Sequence, residues 1–278
     1  MNEHIVWDID PVLFSVGGFA VRYYSLCWLA AFASCYMVMK SIFRREGFSV
    51  ENLDSLLVYV FLGTFIGARL GHCLFYETEF YLSHPLRIVL PFHERADGSW
   101  GFGFMGLASH GAAVGIVVSL LLYARRYRFP IGDLLDKLGV VAPLGGAFIR
   151  LGNFFNSEIV GAPSDGPWAM IFSSVDPLPR HPAQLYEALG YFAAFAVVYA
   201  ACRMRRGRVA DGYFFGLSIF LIFGLRFVVE FVKEVQEPFE VSLRESLGLD
   251  MGQLLSIPFI IAGVAIMVLR RKKRAAVR

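Results

Sequence analysis

Residues 136–156 read DKLGVVAPLGGAFIRLGNFFN, and this stretch decides the fold class. As a helix it is long enough to cross roughly 30 Å of hydrocarbon, which takes about 20 apolar residues. After Lys137 its first half is almost wholly apolar, yet its second half carries Arg150, Asn153 and Asn156. Arg150 follows Leu138 by 12 residues, or about 18 Å of helix, which sets it past the midplane of a span entered at its basic end. A charge at that depth costs about 2.5–3.5 kcal/mol on insertion scales. No acid stands three or four residues away to neutralise it. The polar side chains of this span therefore need partners from other helices or from a ligand.

The rest of the chain reads the same way. With 56% hydrophobic and 18% charged residues and a mean hydropathy of +0.56 over 278 residues, it is too apolar for an ordinary soluble domain. Seven segments suit membrane spans: 19–39, 55–76, 106–124, 136–156, 184–202, 212–232 and 252–269. Basic residues cluster on alternate connections, around Lys40–Arg45, Arg125–Lys137, Arg203–Arg208 and Arg270–Arg278, which hold 17 of the 26 Lys and Arg. Positive connections stay in the cytoplasm, so the N-terminus is expected outside and the C-terminus inside. The opposite connections carry acids such as Glu79, Asp97, Asp165, Asp176, Glu237 and Glu240. The opening MNEHIVWDID has no basic n-region, so no signal peptide is expected to be removed. The expectation is an all-α polytopic membrane protein forming one domain over 1–278. The outer segments 77–105 and 157–183 are expected to form a small extracytoplasmic cap.

Polar residues recur at the outer end of every span. Arg22, Tyr23 and Tyr24 open the first, Arg69 and His72 lie near the end of the second, and His110 opens the third. His181, Gln184, Tyr186 and Glu187 begin the fifth, while Gln253 and Ser256 begin the seventh. Arg226 follows Tyr213 by 13 residues, a depth similar to that of Arg150, and Glu230 stands four residues beyond it on the same helix face. That pair reads either as self-neutralising or as part of a site. Glycines and alanines around His110 (Gly106, Ala108, Gly111, Gly115) and around Arg150 (Gly145, Gly146, Gly152) suit a cavity or close helix packing equally. Two arginines with asparagine amides suit a phosphate, because guanidinium forks pair with phosphate oxygens. At the outer leaflet the obvious phosphate is a lipid headgroup. The four cysteines stand singly in apolar segments, so neither a disulfide framework nor a zinc site is indicated. No metal-ligand spacing appears, and no metal or other cofactor is expected.

On these residues the chain resembles the bacterial prolipoprotein diacylglyceryl transferase family over nearly its whole length. The family signature Gly-Arg-x-(Gly or Ala)-Asn-Phe-apolar-Asn-x-Glu-x-x-Gly is matched by Arg150, Gly152, Asn153, Phe154, Phe155, Asn156, Glu158 and Gly161, with Ile149 in place of the leading Gly. Supporting matches are DPVLFSVG at 10–17, SHGAAVG at 109–115, RHPAQLYE at 180–187, LRFVVEF around Arg226 and Glu230, and MGQLLSIP at 251–258. A tyrosine expected one turn before Arg226 is Ile222 here. That hydroxyl therefore has no counterpart.

The resemblance implies transfer of a diacylglyceryl group from phosphatidylglycerol to the lipobox cysteine thiol of a preprolipoprotein signal peptide. The products would be a thioether and glycerol phosphate. It also implies a multi-pass location in the bacterial inner membrane, with the site facing the outer leaflet and no nucleic acid involved. The roles it implies are Arg150, Asn153 and Tyr24 at the lipid, Arg226 at the developing charge, and His110 or Glu230 at the thiol proton. Asn156, Glu158, Gly161, His181, Gln184, Tyr186 and Glu187 support the site. A transporter or channel for a lipid or anionic solute is the alternative, though it would need polar groups in the cytoplasmic halves of the helices too. A serine protease would need a nucleophile turn that Ser109 lacks, and a retinal protein would need a lysine within 252–269, where none stands.

Overall fold

The structure, a computed structural model, describes residues 4–16, 19–90, 92–94, 100–102, 106, 108–204, 212–234, 246 and 248–275. Asp97, Arg205, Arg206, Arg208, Glu237, Glu240 and Arg278, which enter the topology expectation, lie outside the described residues. The chain forms two compact units, Gly47–Leu134 on the one hand and Met1–Glu46 with Leu135–Arg278 on the other.

In the unit 47–134, helix α2 runs Val50–Phe75 and begins at Ser49, whose hydroxyl accepts the Asn52 N–H at 3.3 Å and so caps the first turn. The connection after it holds two short helices, α3 (Thr78–Ser83) and α4 (Leu86–Val89), and an antiparallel pair, β4 (Phe92–Glu94) with β5 (Trp100–Phe102). Helix α5 (Ser109–Tyr127) then returns alongside α2. The two helices meet backbone to backbone, because a Cβ added to Gly115 would stand 1.9 Å from the Gly63 carbonyl oxygen, and one added to Gly67 would stand 2.3 Å from that of Gly111. Here the small residues serve helix contact, the packing reading of that sequence pattern. Arg69 is buried, and its guanidinium donates to the carbonyls of Arg87, Ile88 and Gly106, which fastens the connection to α2.

In the other unit, β2 (Val12–Val16) and β3 (Phe19–Arg22) pair antiparallel and lead into α1 (Tyr23–Glu46). The first expected span thus starts four residues late, since 19–22 are held extended by their strand partner. Helix α6 (Ile131–Phe155) carries the signature, followed by β6 (Met170–Phe172) and β7 (Pro179–Arg180). With β1 (Ile5–Trp7) these form a small sheet, β1 parallel and β7 antiparallel to β6. Helices α7 (Ala183–Met204), α8 (Tyr213–Val229) and α9 (Met251–Ala275) complete the unit. A 3₁₀ turn, Glu230–Val232, ends α8. Ile42, Val140, Val198, Cys202 and Phe214, from α1, α6, α7 and α8, form one apolar core.

Two polar devices fix the helices at the end away from the signature. Asp136 is buried on α6 and accepts the Gly212 and Phe215 N–H groups at 2.7 and 2.9 Å, which satisfies the open N-terminus of α8 from a neighbouring helix. Gly212 there adopts φ +92°, a left-handed conformation that favours glycine. Lys137 reaches Glu46 of α1 at 2.6 Å. Six segments, Tyr23–Glu46, Val50–Phe75, Ile131–Phe155, Ala183–Met204, Tyr213–Val232 and Met251–Arg270, are long and apolar enough to cross a membrane. Helix α5, the expected third span, has 19 residues, with His110 near its start and Arg125 and Arg126 in its last turn.

Candidate active site

The site grows from the end of α6. After Phe155 the chain turns back on itself, with the Glu158 N–H donating to the Asn153 carbonyl at 2.9 Å. Ser157 and Ile159 take positive φ of 53° and 57°. For a β-branched residue that is an uncommon conformation, and such strain persists where its surroundings hold it. Its result is to fold Glu158 over the helix end. Asn153 Nδ2 donates to Glu158 Oε2 at 3.0 Å, and Asn156 Nδ2 donates to Oε1 at 2.9 Å. Asn153 Oδ1 accepts from Arg150 Nη1 at 3.3 Å. Both ends of the Asn153 amide are thus engaged, and the residue orients Arg150.

Helix α7 supplies the next layer. Gln184 is fully buried and donates to the Glu158 carbonyl at 2.7 Å. One turn on, Glu187 has no exposed surface, and its Oε2 stands 2.9 Å from Arg150 Nε. That oxygen accepts no hydrogen bond, so the approach is an ion pair off the N–H direction. Tyr191, four residues beyond Glu187, lies within electrostatic reach of Arg150, Glu187 and Arg226. Its ring packs on Gly146, where an added Cβ would stand 3.2 Å away. Tyr24 of α1 packs likewise on Gly152, at 2.7 Å from an added Cβ. The glycines of α6 therefore admit the two tyrosine rings that flank Arg150.

Helix α8 brings the second arginine. Arg226 makes no ion pair or hydrogen bond among the described residues, and its Nε is buried without a partner. The spacing left Glu230 either paired with it or part of a site; Glu230 Oε2 receives Lys233 Nζ at 3.2 Å. Glu230 keeps its helical place, with its N–H donating to the Arg226 carbonyl, but the 3₁₀ turn that follows brings Lys233 onto its carboxylate, which meets that cation instead. Glu230 also lies against Gly252 of α9, whose added Cβ would stand 2.3 Å from Oε1. Gln253 beside it donates to the Phe227 carbonyl at 3.3 Å.

Gly161 closes the loop. Its N–H donates to the His181 carbonyl at 2.9 Å, and an added Cβ would meet that oxygen at 2.6 Å and the Val232 oxygen at 2.7 Å. His181 and Tyr186 form a separate pair, Nδ1 to hydroxyl at 3.1 Å. Arg180, buried, binds Asp176, Glu234 at 2.8 Å and the Gly161 carbonyl at 3.1 Å. Hydrogen bonding by Arg180 holds the Asp176 carboxyl below the usual carboxylate range. His110 belongs to the unit 47–134, where it is exposed and its Nε2 lies 2.8 Å from the Tyr76 hydroxyl.

Arg150, Asn153, Asn156, Glu158, Gln184, Glu187 and Glu230 are thus brought into one connected set with Tyr24, Gly161 and Arg226 around it. Sequence reasoning missed Lys233, Tyr191 and Arg180. Tyr191 was findable from its i+4 spacing to Glu187, whereas Lys233 reads as a loop residue one position beyond the expected span. Among the described residues no cluster of three or more His, Cys, Asp or Glu could hold a metal. What the arrangement offers is a half-buried guanidinium with its Nε unpartnered, and it calls for an anion.

Comparison with known proteins shows the family. The family model described as prolipoprotein diacylglyceryl transferase matches residues 11–269. The chain is similar to proteins named phosphatidylglycerol–prolipoprotein diacylglyceryl transferase. One from Bacteroides fragilis is 43% identical over 272 residues, covering 98% of this chain and 97% of the relative. One from Tolumonas auensis is 40% identical over 274 residues, covering 98% and 99%. One from Chloroherpeton thalassium is 39% identical over 264 residues, covering 95% and 93%.

Proposed function

The chain belongs to the prolipoprotein diacylglyceryl transferase family, and we propose that it transfers the diacylglyceryl group of phosphatidylglycerol to the lipobox cysteine of a preprolipoprotein. The relatives' name supplies donor and acceptor. The observation that carries the reading to this chain's own residues is Arg226, whose buried Nε has no partner while Arg150 and Tyr191 stand in the same set.

In the reaction the cysteine sulfur attacks the glyceryl carbon, the S–C bond forms, and the C–O bond to phosphate breaks. The bonding electrons leave with glycerol phosphate, whose extra charge falls among the arginines. Arg226 takes the developing charge and Arg150 holds the headgroup phosphate. Asn153 sets the direction of Arg150, and Tyr24 lies along the lipid. Interactions stronger in the transition state than in the ground state are the ones that raise the rate. The thiol must lose its proton, since its free pKa is about 8.5. The resemblance leaves that proton to His110 or Glu230, and one oxygen of Glu230 is engaged by Lys233. Helix α5 serves as the seventh span, with the N-terminus outside, the C-terminus cytoplasmic and the site toward the outer leaflet of the bacterial inner membrane.

The test is incubation of the purified chain with phosphatidylglycerol vesicles and a lipobox peptide, followed by mass spectrometry. The peptide should gain one diacylglyceryl mass, and a peptide with serine in place of the cysteine should gain none. An unmodified peptide, with phosphatidylglycerol redistributed between vesicle leaflets, would replace this reading with the transporter.

A further inference from the structure

Lys233 stands outside every expected span, and it touches three elements of the site. Its backbone N–H donates to the Glu230 carbonyl at 3.2 Å, after which the chain becomes extended at φ −82°, ψ 151°. There it bridges to Gly161, and the neighbouring Val232 carbonyl accepts the Ala162 N–H at 2.8 Å. The signature loop therefore fixes the backbone of Lys233. Its side chain, only 7% exposed, turns inward, where Nζ meets Glu187 Oε1 at 3.0 Å and Glu230 Oε2 at 3.2 Å.

Glu187 thus has one cation on each oxygen, Lys233 at Oε1 and Arg150 at Oε2, and no contact with solvent. A buried carboxylate demands compensation. With Lys233 in place Arg150 need not supply all of it, and Arg150 meets Glu187 off its N–H direction. A guanidinium that Asn153 orients and Glu187 does not hold by a hydrogen bond can still offer donors to a phosphate.

We propose that Lys233 is a positioning residue, which by neutralising Glu187 keeps Arg150 available to the phosphatidylglycerol headgroup. The inference rests on the transferase reading above. Without Lys233, Glu187 draws Arg150 into a full hydrogen-bonded pair, and the headgroup loses its clamp. The effect falls on the lipid substrate and not on the peptide.

The experiment measures KM for each substrate and kcat in mixed micelles for the wild type, Lys233→Met, Lys233→Arg and the double variant Lys233→Met/Glu187→Gln. Lys233→Met should raise the phosphatidylglycerol KM by about 10-fold or more and leave the peptide KM within about 2-fold. Lys233→Arg should stay near the wild type. In the double variant, removal of the charge that Lys233 neutralises should recover at least about 3-fold of the lost phosphatidylglycerol KM. A loss shared equally by both substrates, tracking the amount of folded protein and unrescued by Glu187→Gln, would make Lys233 structural only and overturn the proposal. Near-wild-type behaviour of Lys233→Met would overturn it as well. If Lys233→Met does not accumulate, Lys233→Gln drops the charge, keeps a donor and carries the same comparison. Absence of any phosphatidylglycerol-dependent transfer by the wild type would refute the transferase reading itself, and this inference with it.

Discussion

Arg226 and Glu230 stand four residues apart on paper, yet the carboxylate of Glu230 binds Lys233 at 3.2 Å and the guanidinium of Arg226 is left with a buried, unpartnered Nε. A self-neutralising pair would have had no reason to sit in a binding site. Its separation into an engaged carboxylate and an open cation gives the site an unspent positive charge. Arg226→Gln removes that charge while keeping a polar side chain. It should cost about 10²-fold or more in kcat with little change in the peptide KM, as loss of a preorganised transition-state donor does. Steady-state kinetics with a lipobox peptide checks this.

Arg150 differs in being oriented by several neighbours. Asn153 accepts from its Nη1 at 3.3 Å, Glu187 faces its Nε at 2.9 Å, and Tyr191 lies within electrostatic reach. Arg150→Lys keeps the charge and loses the planar fork, so these contacts and a bidentate grip on phosphate cannot coexist. Activity should fall by about 10²-fold or more although net charge is unchanged. Activity within a few-fold of the wild type would show that charge alone suffices there.

Gly161 is tested through packing. An added Cβ would stand 2.6 Å from both the His181 carbonyl oxygen and the His181 Cβ, and 2.7 Å from the Val232 carbonyl oxygen. Two of these neighbours are backbone, which cannot swing aside as a side chain would. Gly161→Ala should therefore destabilise the loop by about 1–3 kcal/mol through overpacking. Because the same loop pins Lys233, activity should fall further than stability does. A thermal melt in detergent beside an activity assay separates the two effects.

Much of this architecture was legible in the sequence, for reasons that differ by element. The six segments with strong spans follow from hydrophobic length alone, and the signature residues 150–161 assembled where their spacing placed them. The start of α1 was misplaced because Phe19–Arg22 is as apolar as a helix end, and only its strand partner Val12–Val16 makes it extended. Glu230 could be read either as a partner of Arg226 or as part of the site, because an i, i+4 spacing puts two residues on one face without saying which cation the carboxylate meets once Lys233 follows. Lys233 was not legible from spacing at all. The direction of its side chain depends on the backbone bridge to Gly161, more than 70 residues earlier.

Orientation is a separate matter, argued from basic connections. If these are cytoplasmic, a cysteine introduced as Asp97→Cys should react with an impermeant thiol reagent added outside intact cells, and one introduced as Arg206→Cys should react only after permeabilisation. Equal labelling of both would reverse the topology, and the outer-leaflet assignment of the site would go with it.

The thiol proton has two candidate acceptors, His110 and Glu230. His110 Nε2 lies 2.8 Å from the Tyr76 hydroxyl and the residue is exposed, so its ring keeps a second nitrogen for a thiol. His110→Gln keeps polarity but cannot accept a proton efficiently near neutral pH, and it should cost about 10²-fold or more. A base has a further signature that a positioning residue lacks. As the pH rises toward the thiol's own pKa near 8.5, the peptide increasingly supplies its own thiolate. His110→Gln should then recover part of its lost rate, whereas Arg150→Lys should gain nothing beyond the wild-type response. The measurement is the ratio of variant to wild-type kcat/KM from about pH 6.5 to 9. A flat ratio for His110→Gln, or near-normal activity at neutral pH in correctly inserted protein, would remove the histidine as base and transfer that role to Glu230.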